Sequence, residues 1–81
     1  MKVNVKLFAR AKDLANSDSV ELELPESACV ADLRQALKQA VPEIAPLASS
    51  LLIAIGNDYA NDSTVLDPSK PLACFPPVSG G

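Results

Sequence analysis

Pro76-Pro77-Val78-Ser79-Gly80-Gly81 is the stretch of this chain best equipped for chemistry, and the reacting group would be the backbone itself. These six residues carry no charged side chain and end in a free main-chain carboxylate. Fully extended they reach about 20 Å, enough for a terminus to enter a partner's pocket while the body stays outside. Two prolines stiffen the exit, and Gly80 and Gly81 keep the end narrow and open to backbone conformations closed to other residues. A carboxylate is a poor acyl donor because its oxygen leaves badly. Acyl-adenylate formation would remove that obstacle, and sulfide attack would then give a terminal thiocarboxylate able to deliver sulfur and regenerate the carboxylate. The chain has no glycine-rich phosphate loop with its lysine, so ATP chemistry would need another protein.

Other chemistries are poorly supplied. There is no His, which removes the side chain best suited to proton transfer near neutral pH and the commonest neutral metal ligand. Cys29 and Cys74 are too few and too far apart for a zinc site. They read as reduced thiols: Cys74 as structural, Cys29 as an inert thiol near a helix start, since no cationic helper lies beside either in sequence. Asp58, Asp62 and Asp67 lack calcium-loop spacing and sit among turn residues. Phe8 and Phe75 have two readings, core filling or an apolar docking surface, and Phe8 is the better surface candidate because it is out of phase with Val3, Val5 and Leu7.

The elements that must position these residues follow from patterning. Val3, Val5 and Leu7 alternate with Lys2, Asn4 and Lys6, which predicts a half-buried strand over residues 2–8. Residues 13–19 suit a connection, and Val20, Leu22 and Leu24 alternate with Glu21 and Glu23 as a returning strand, so a hairpin is expected. Val30, Leu33, Leu37 and Val41, supported by Ala36 and Ala40, have helical spacing, with Arg34, Lys38 and Gln39 on the wetter face. Neither Ser27 nor Cys29 promises a clean capping box, although Asp32 suits the first turn. Pro42 closes the helix, and an irregular stretch through Pro46 leads to Leu51–Ile55, expected as a central strand. Gly56-Asn57-Asp58 is a turn before Tyr59-Ala60, and Leu72–Phe75 is a final strand stopped by Pro76 and Pro77. The order β-β-α-β-β, with a small extra strand, gives an α+β fold in which one main helix covers one face of a mixed sheet.

Eighty-one residues with 48% apolar content make one small domain rather than a disordered chain. Residues 1–12 carry +4 and residues 13–81 carry −7, for a net −3. The basic segment is either a solvated strand face or a dock for an acidic partner. Overall acidity and the scarcity of aromatics argue against nucleic acid. No stretch has the length of a membrane helix or the form of a secretion signal, so a cytoplasmic protein is expected.

Lys6-Leu7-Phe8-Ala9-Arg10, Val30-Ala31-Asp32-Leu33-Arg34, Leu52-Ile53-Ala54-Ile55 and Phe75-Pro76-Pro77-Val78-Ser79-Gly80-Gly81 together resemble the small, sulfur-carrying subunit of molybdopterin synthase, the MoaD family of ubiquitin-like proteins. The resemblance spans essentially the whole chain. It implies a ubiquitin-like β-grasp domain over residues 1–75 and a flexible, extended donor tail over 76–81. It also implies adenylation of Gly81 by a MoeB-like enzyme using ATP, and sulfur loading from a sulfurtransferase or other source to a thiocarboxylate. The tail would then enter a MoaE-like large subunit that holds the main catalytic pocket and makes the dithiolene of molybdopterin from cyclic pyranopterin monophosphate, in a heterotetramer. Phe8, Phe75, Pro76, Pro77, Val78, Ser79 and Gly80 would contact the partner, with no stably bound cofactor or metal. The chain departs from the family pattern where Cys29 replaces a frequent Thr, where Asp67-Pro68-Ser69-Lys70-Pro71-Leu72 replaces an acidic turn, and around Gly56-Asn57-Asp58. Thiazole or transfer-RNA sulfur carriers and a noncatalytic β-grasp adaptor are the alternatives.

Overall fold

The computed structural model describes residues 1–77. Its elements run β1 (Lys2–Leu7), α1 (Ala9–Ala15), β2 (Ser19–Glu23), α2 (Val30–Ala40), a 3-10 helix (Pro42–Leu47), β3 (Leu52–Ile55), β4 (Asp58–Ala60) and β5 (Leu72–Phe75). The five strands form one mixed sheet in the order β2-β1-β5-β3-β4. β1 and β5 are parallel, and the other neighbours are antiparallel. This is the α+β arrangement that the patterning predicts and the β-grasp that the resemblance implies.

Strand alternation decides which face is dry. Val3, Val5, Leu7, Leu22, Ile53, Ile55, Leu72 and Cys74 join Val30, Leu33 and Leu37 of α2 in one buried cluster. The intervening residues (Lys2, Asn4 and Lys6 on β1, Ala73 and Phe75 on β5, Leu52 on β3, Tyr59 on β4) lie on the face that α2 does not cover. Val41 caps α2 rather than extending it, and Ala40 is exposed.

Three sequence expectations need correction. Residues 13–19 are not all connection: Ala9–Ala15 form α1, inserted between the paired strands β1 and β2, so these strands are not a simple hairpin. Seven residues whose one fully buried side chain is Ala11 give too little apolar contrast to announce a helix. The helix opens at Ala9 with φ 53 and closes at Asn16 with φ 54; the second is a familiar Asn cap, the first an uncommon placement for a residue with a Cβ. The stretch after Pro42 is a 3-10 helix that buries Ile44, not an irregular loop. Finally, Asp32 supplies half a capping box after all: its Oδ2 accepts from the Cys29 N–H at 3.0 Å and from the Cys29 thiol at 3.4 Å.

Candidate functional site

The sheet register builds an aromatic platform where β5 ends. The parallel pairing Leu7↔Cys74 places the next residues, Phe8 and Phe75, side by side on the uncovered face. Their rings stack with centroids 4.7 Å apart and planes 10° apart. The third ring comes from β4. A two-residue turn with Gly56 at φ 65 joins β3 to β4, setting Ile55 opposite Asp58 and Ala54 opposite Tyr59. Tyr59 then meets Phe75 edge to face at 6.3 Å and 80°. Such ring pairs contribute roughly 0.5–1.5 kcal/mol beyond their buried area.

The platform remains wet. Phe8 is 39% exposed, Leu52 37% and Tyr59 70%, so three large apolar or amphipathic side chains share a face with no covering helix. Ala54, Gly56, Asn57, Tyr59 and Phe75 line a notch of about 240 Å³ beside it. Pro76 is half-buried and Pro77 exposed directly after Phe75; lacking N–H groups, they cannot extend the β5 ladder, so the chain leaves the sheet at the platform's edge. The structure thus places Phe8, Phe75, Pro76 and Pro77 together. Val78, Ser79, Gly80 and Gly81, on which the reactive-terminus expectation falls, lie outside the described residues.

Sequence reasoning missed Tyr59 and Leu52 as members of this surface. The signal for Tyr59 was available in the two-residue loop: once Ile55 pairs with Asp58, alternation carries Tyr59 to the same face as Ala54.

The two thiols have different surroundings. Cys74 is fully buried, and burial pushes its thiol up to about 12, against a weaker downward pull from Arg34. It is a neutral core side chain at physiological pH, not a nucleophile. Cys29 is half-buried at the start of α2, and both are free. The sign of the Cys74 shift yields a prediction. Above its ordinary value of 9.0 the unfolded chain releases this proton while the folded chain keeps it, so stability is intact below pH 9 and drains away up to about pH 12. The slope is about 1.4 kcal/mol per pH unit. Cys74→Ala should cost about 1 kcal/mol at pH 7 through lost packing, yet match or exceed the parent at pH 10 in urea unfolding. Parallel pH curves for the two proteins would contradict this placement of the thiol.

The aspartates have ordinary structural work. Asp62 Oδ1 accepts from Arg34 Nε at 2.8 Å. Asp67 Oδ1 accepts from the Ser69 hydroxyl at 2.6 Å and its N–H at 3.0 Å, and these bonds hold its carboxyl below the usual value. Among the described residues, no three His, Cys, Asp or Glu gather as a metal site, and no helix is long and apolar enough to cross a membrane.

A five-stranded mixed sheet over one main helix, with aromatic side chains at the root of a proline-led C-terminal strand exit, defines a ubiquitin-like β-grasp protein. The ThiS family profile matches residues 5–81, and the chain belongs to this family of MoaD-like, ubiquitin-fold carriers. It is 28% identical over 81 residues to the molybdopterin synthase sulfur carrier subunit of Arabidopsis thaliana, covering all of this chain and 84% of that protein. Among solved structures, it superposes on small archaeal modifier protein 1 of Haloferax volcanii with a TM-score of 0.84 and 27% identity over the whole of both chains. A Pyrococcus furiosus protein described as a candidate molybdopterin converting factor subunit 1 gives 0.83 and 32%, over 96% of this chain and 99% of that one.

Proposed function

We propose that this chain is the sulfur carrier of a molybdopterin synthase, with residues 1–75 as the docking body and residues 76–81 as the donor arm. The observation that carries the reading is the Phe8–Phe75–Tyr59 platform at the point where Pro76 leaves the sheet, in a ThiS-family chain matched through Gly81. A partner gripping the platform also receives the arm.

The chemistry closes on the terminus. A MoeB-like enzyme joins the Gly81 carboxylate to AMP, releasing pyrophosphate from ATP. Sulfide then attacks the acyl carbon, the C–S bond forms, the C–O bond to AMP breaks, and AMP leaves, giving the thiocarboxylate directly. In the large subunit's pocket, sulfur passes to a pyranopterin carbon, water supplies the oxygen that restores the carboxylate, and two rounds furnish the dithiolene. Gly80 contributes narrowness, and Val78 and Ser79 line the approach.

Intact mass after incubation with ATP, adenylating enzyme and a sulfur source tests this: the C-terminal peptide gains about 16 Da as sulfur replaces oxygen. A label on Cys29 or Cys74 with an unmodified terminus would overturn it. Docking is tested separately. Phe8→Ala and Phe75→Ala should each weaken capture by the large subunit by about 1–2 kcal/mol, roughly 5- to 30-fold in Kd. Because the rings touch, the double variant should lose less than the sum. Unchanged Kd values by calorimetry would remove the platform from the interface.

The likeness to the Haloferax modifier protein favours a second reading, attachment of the same activated terminus to a lysine amine on another protein. That reaction forms an isopeptide bond and expels AMP or sulfur. It predicts covalent adducts heavier by the whole chain, which sulfur donation does not produce.

A further inference from the structure

We infer that the groove between the first half of β1 and the Pro68–Pro71 connection is a docking site for an extended acidic segment of a partner protein. This goes beyond the terminal chemistry and does not depend on it. Lys2, Lys6 and Lys70 line this groove of about 450 Å³, together with Asn4, Pro68 and Pro71. The three lysines are exposed, and the ion pairs among the described residues are Met1–Glu23 and Arg34–Asp62, so none of the three is engaged in one. In a chain of net charge −3, that is a concentration of positive charge on one face.

Nearby carboxylates offset only part of it. Glu23 stands opposite Lys2 and Glu21 opposite Asn4 on the same face, on the β2 side of β1 and outside the groove's lining. Glu23 lies 3.9 Å from the Met1 ammonium. Asp67, at the start of the connection, has its Oδ1 turned onto Ser69 and is close enough to Lys70 to feel its charge.

The shape selects an extended chain. β1 pairs with β2 along Lys2–Lys6 but with β5 only from Val5 to Leu7. The Lys2–Asn4 half of β1 therefore has a strand neighbour on one side alone, and Pro68 and Pro71 in the opposite wall offer no N–H to pair with it. Lys2 and Lys6 point to the same face about 13 Å apart along the strand, a spacing that acidic residues four apart on an extended segment would match. The absence of an aromatic ring in the groove disfavours a nucleic-acid strand. Lys6 sits two residues before Phe8 on β1, so a protein covering the platform could run an acidic segment straight into the groove.

The test is an amide chemical-shift titration of the full ¹⁵N-labelled chain with a capped octapeptide of alternating Glu and Val. Shifts should concentrate at Lys2, Asn4, Lys6 and Lys70. The combined reversal Lys2→Glu and Lys70→Glu, at exposed positions and with unfolding midpoint checked, should weaken binding about tenfold or more at low salt. Reversing Arg10 and Lys12 on α1 should change it less than about twofold. Shifts that follow Arg10 and Lys12, equal binding of a Lys–Val octapeptide, tighter binding of a single-stranded oligonucleotide of equal charge, or no shift at millimolar peptide would each overturn the proposal.

Discussion

Deletion of Gly81 should abolish the gain of about 16 Da on loading with ATP, adenylating enzyme and sulfur source, with no detectable residual product. The expected loss is complete because the reacting atom is removed from its place, not merely weakened in its binding. Truncation leaves a new carboxylate on Gly80, chemically equivalent but about 3.5 Å short of the former position. Near-attack geometry tolerates far less displacement than that; an error of about 1 Å already costs on the order of a hundredfold in rate. Gly81→Ala is the informative companion, since it restores length but adds a Cβ where a narrow terminus is required. It should load slowly rather than not at all. Cys29→Ser and Cys74→Ala should load as the parent does, because one thiol caps α2 and the other is sealed in the core. Normal loading of the Gly81 deletion would transfer the chemistry elsewhere, and equal failure of both cysteine variants would point to a thiol intermediate within the chain. Docking separates from loading in the same assay: Phe75→Ala should retain the mass gain at saturating activating enzyme while losing affinity for the large subunit.

The strands and α2 were legible because each buries one face, and alternation or helical spacing records that directly. Val3, Val5 and Leu7, or Val30, Leu33 and Leu37, announce their elements without reference to the rest of the chain. α1 and the 3-10 helix were not, since each has one fully buried side chain, Ala11 and Ile44 respectively, with Leu14, Ala15 and Leu47 only partly buried against the core. Phe8 was legible as a surface residue from its broken phase alone. That it stacks on Phe75 was not, because the contact depends on the parallel register of β1 and β5, strands separated by nearly the whole sequence. The same limit hid the meaning of the basic N-terminal segment. Lys2 and Lys6 alone read as a wet strand edge, and only the fold brings Lys70 alongside them.

Arg34 is where helix patterning misled most, and its replacement carries the largest stability loss expected of any polar residue here. On the wheel of α2 it belongs with the wetter side chains, yet its side chain is only 16% exposed. Nη1 donates to the carbonyls of Ala48 and Leu51, both at 2.7 Å, while Nε donates to Asp62 at 2.8 Å. Ala48 and Leu51 are themselves buried, so these carbonyls depend on the guanidinium. Arg34→Ala strands two acceptors, at about 1–3 kcal/mol each, and should destabilise the fold by about 3–4 kcal/mol in urea unfolding. The ion pair is the smaller part: Asp62 is 66% exposed, and Asp62→Ala should cost no more than about 1 kcal/mol. Arg34→Lys should recover less than half the loss, because one ammonium cannot reproduce the planar fork that spans both carbonyls and the carboxylate. For a domain whose total stability is about 5–10 kcal/mol, this is the difference between a firm body and a partly unfolded one. The consequence reaches the docking face, since Ala48–Leu51 feeds directly into β3, which carries Leu52 and Ala54 into the platform. Equal effects of Arg34→Ala and Asp62→Ala would mean that the carbonyl contacts contribute nothing, and that β3 is held by its strand pairing alone.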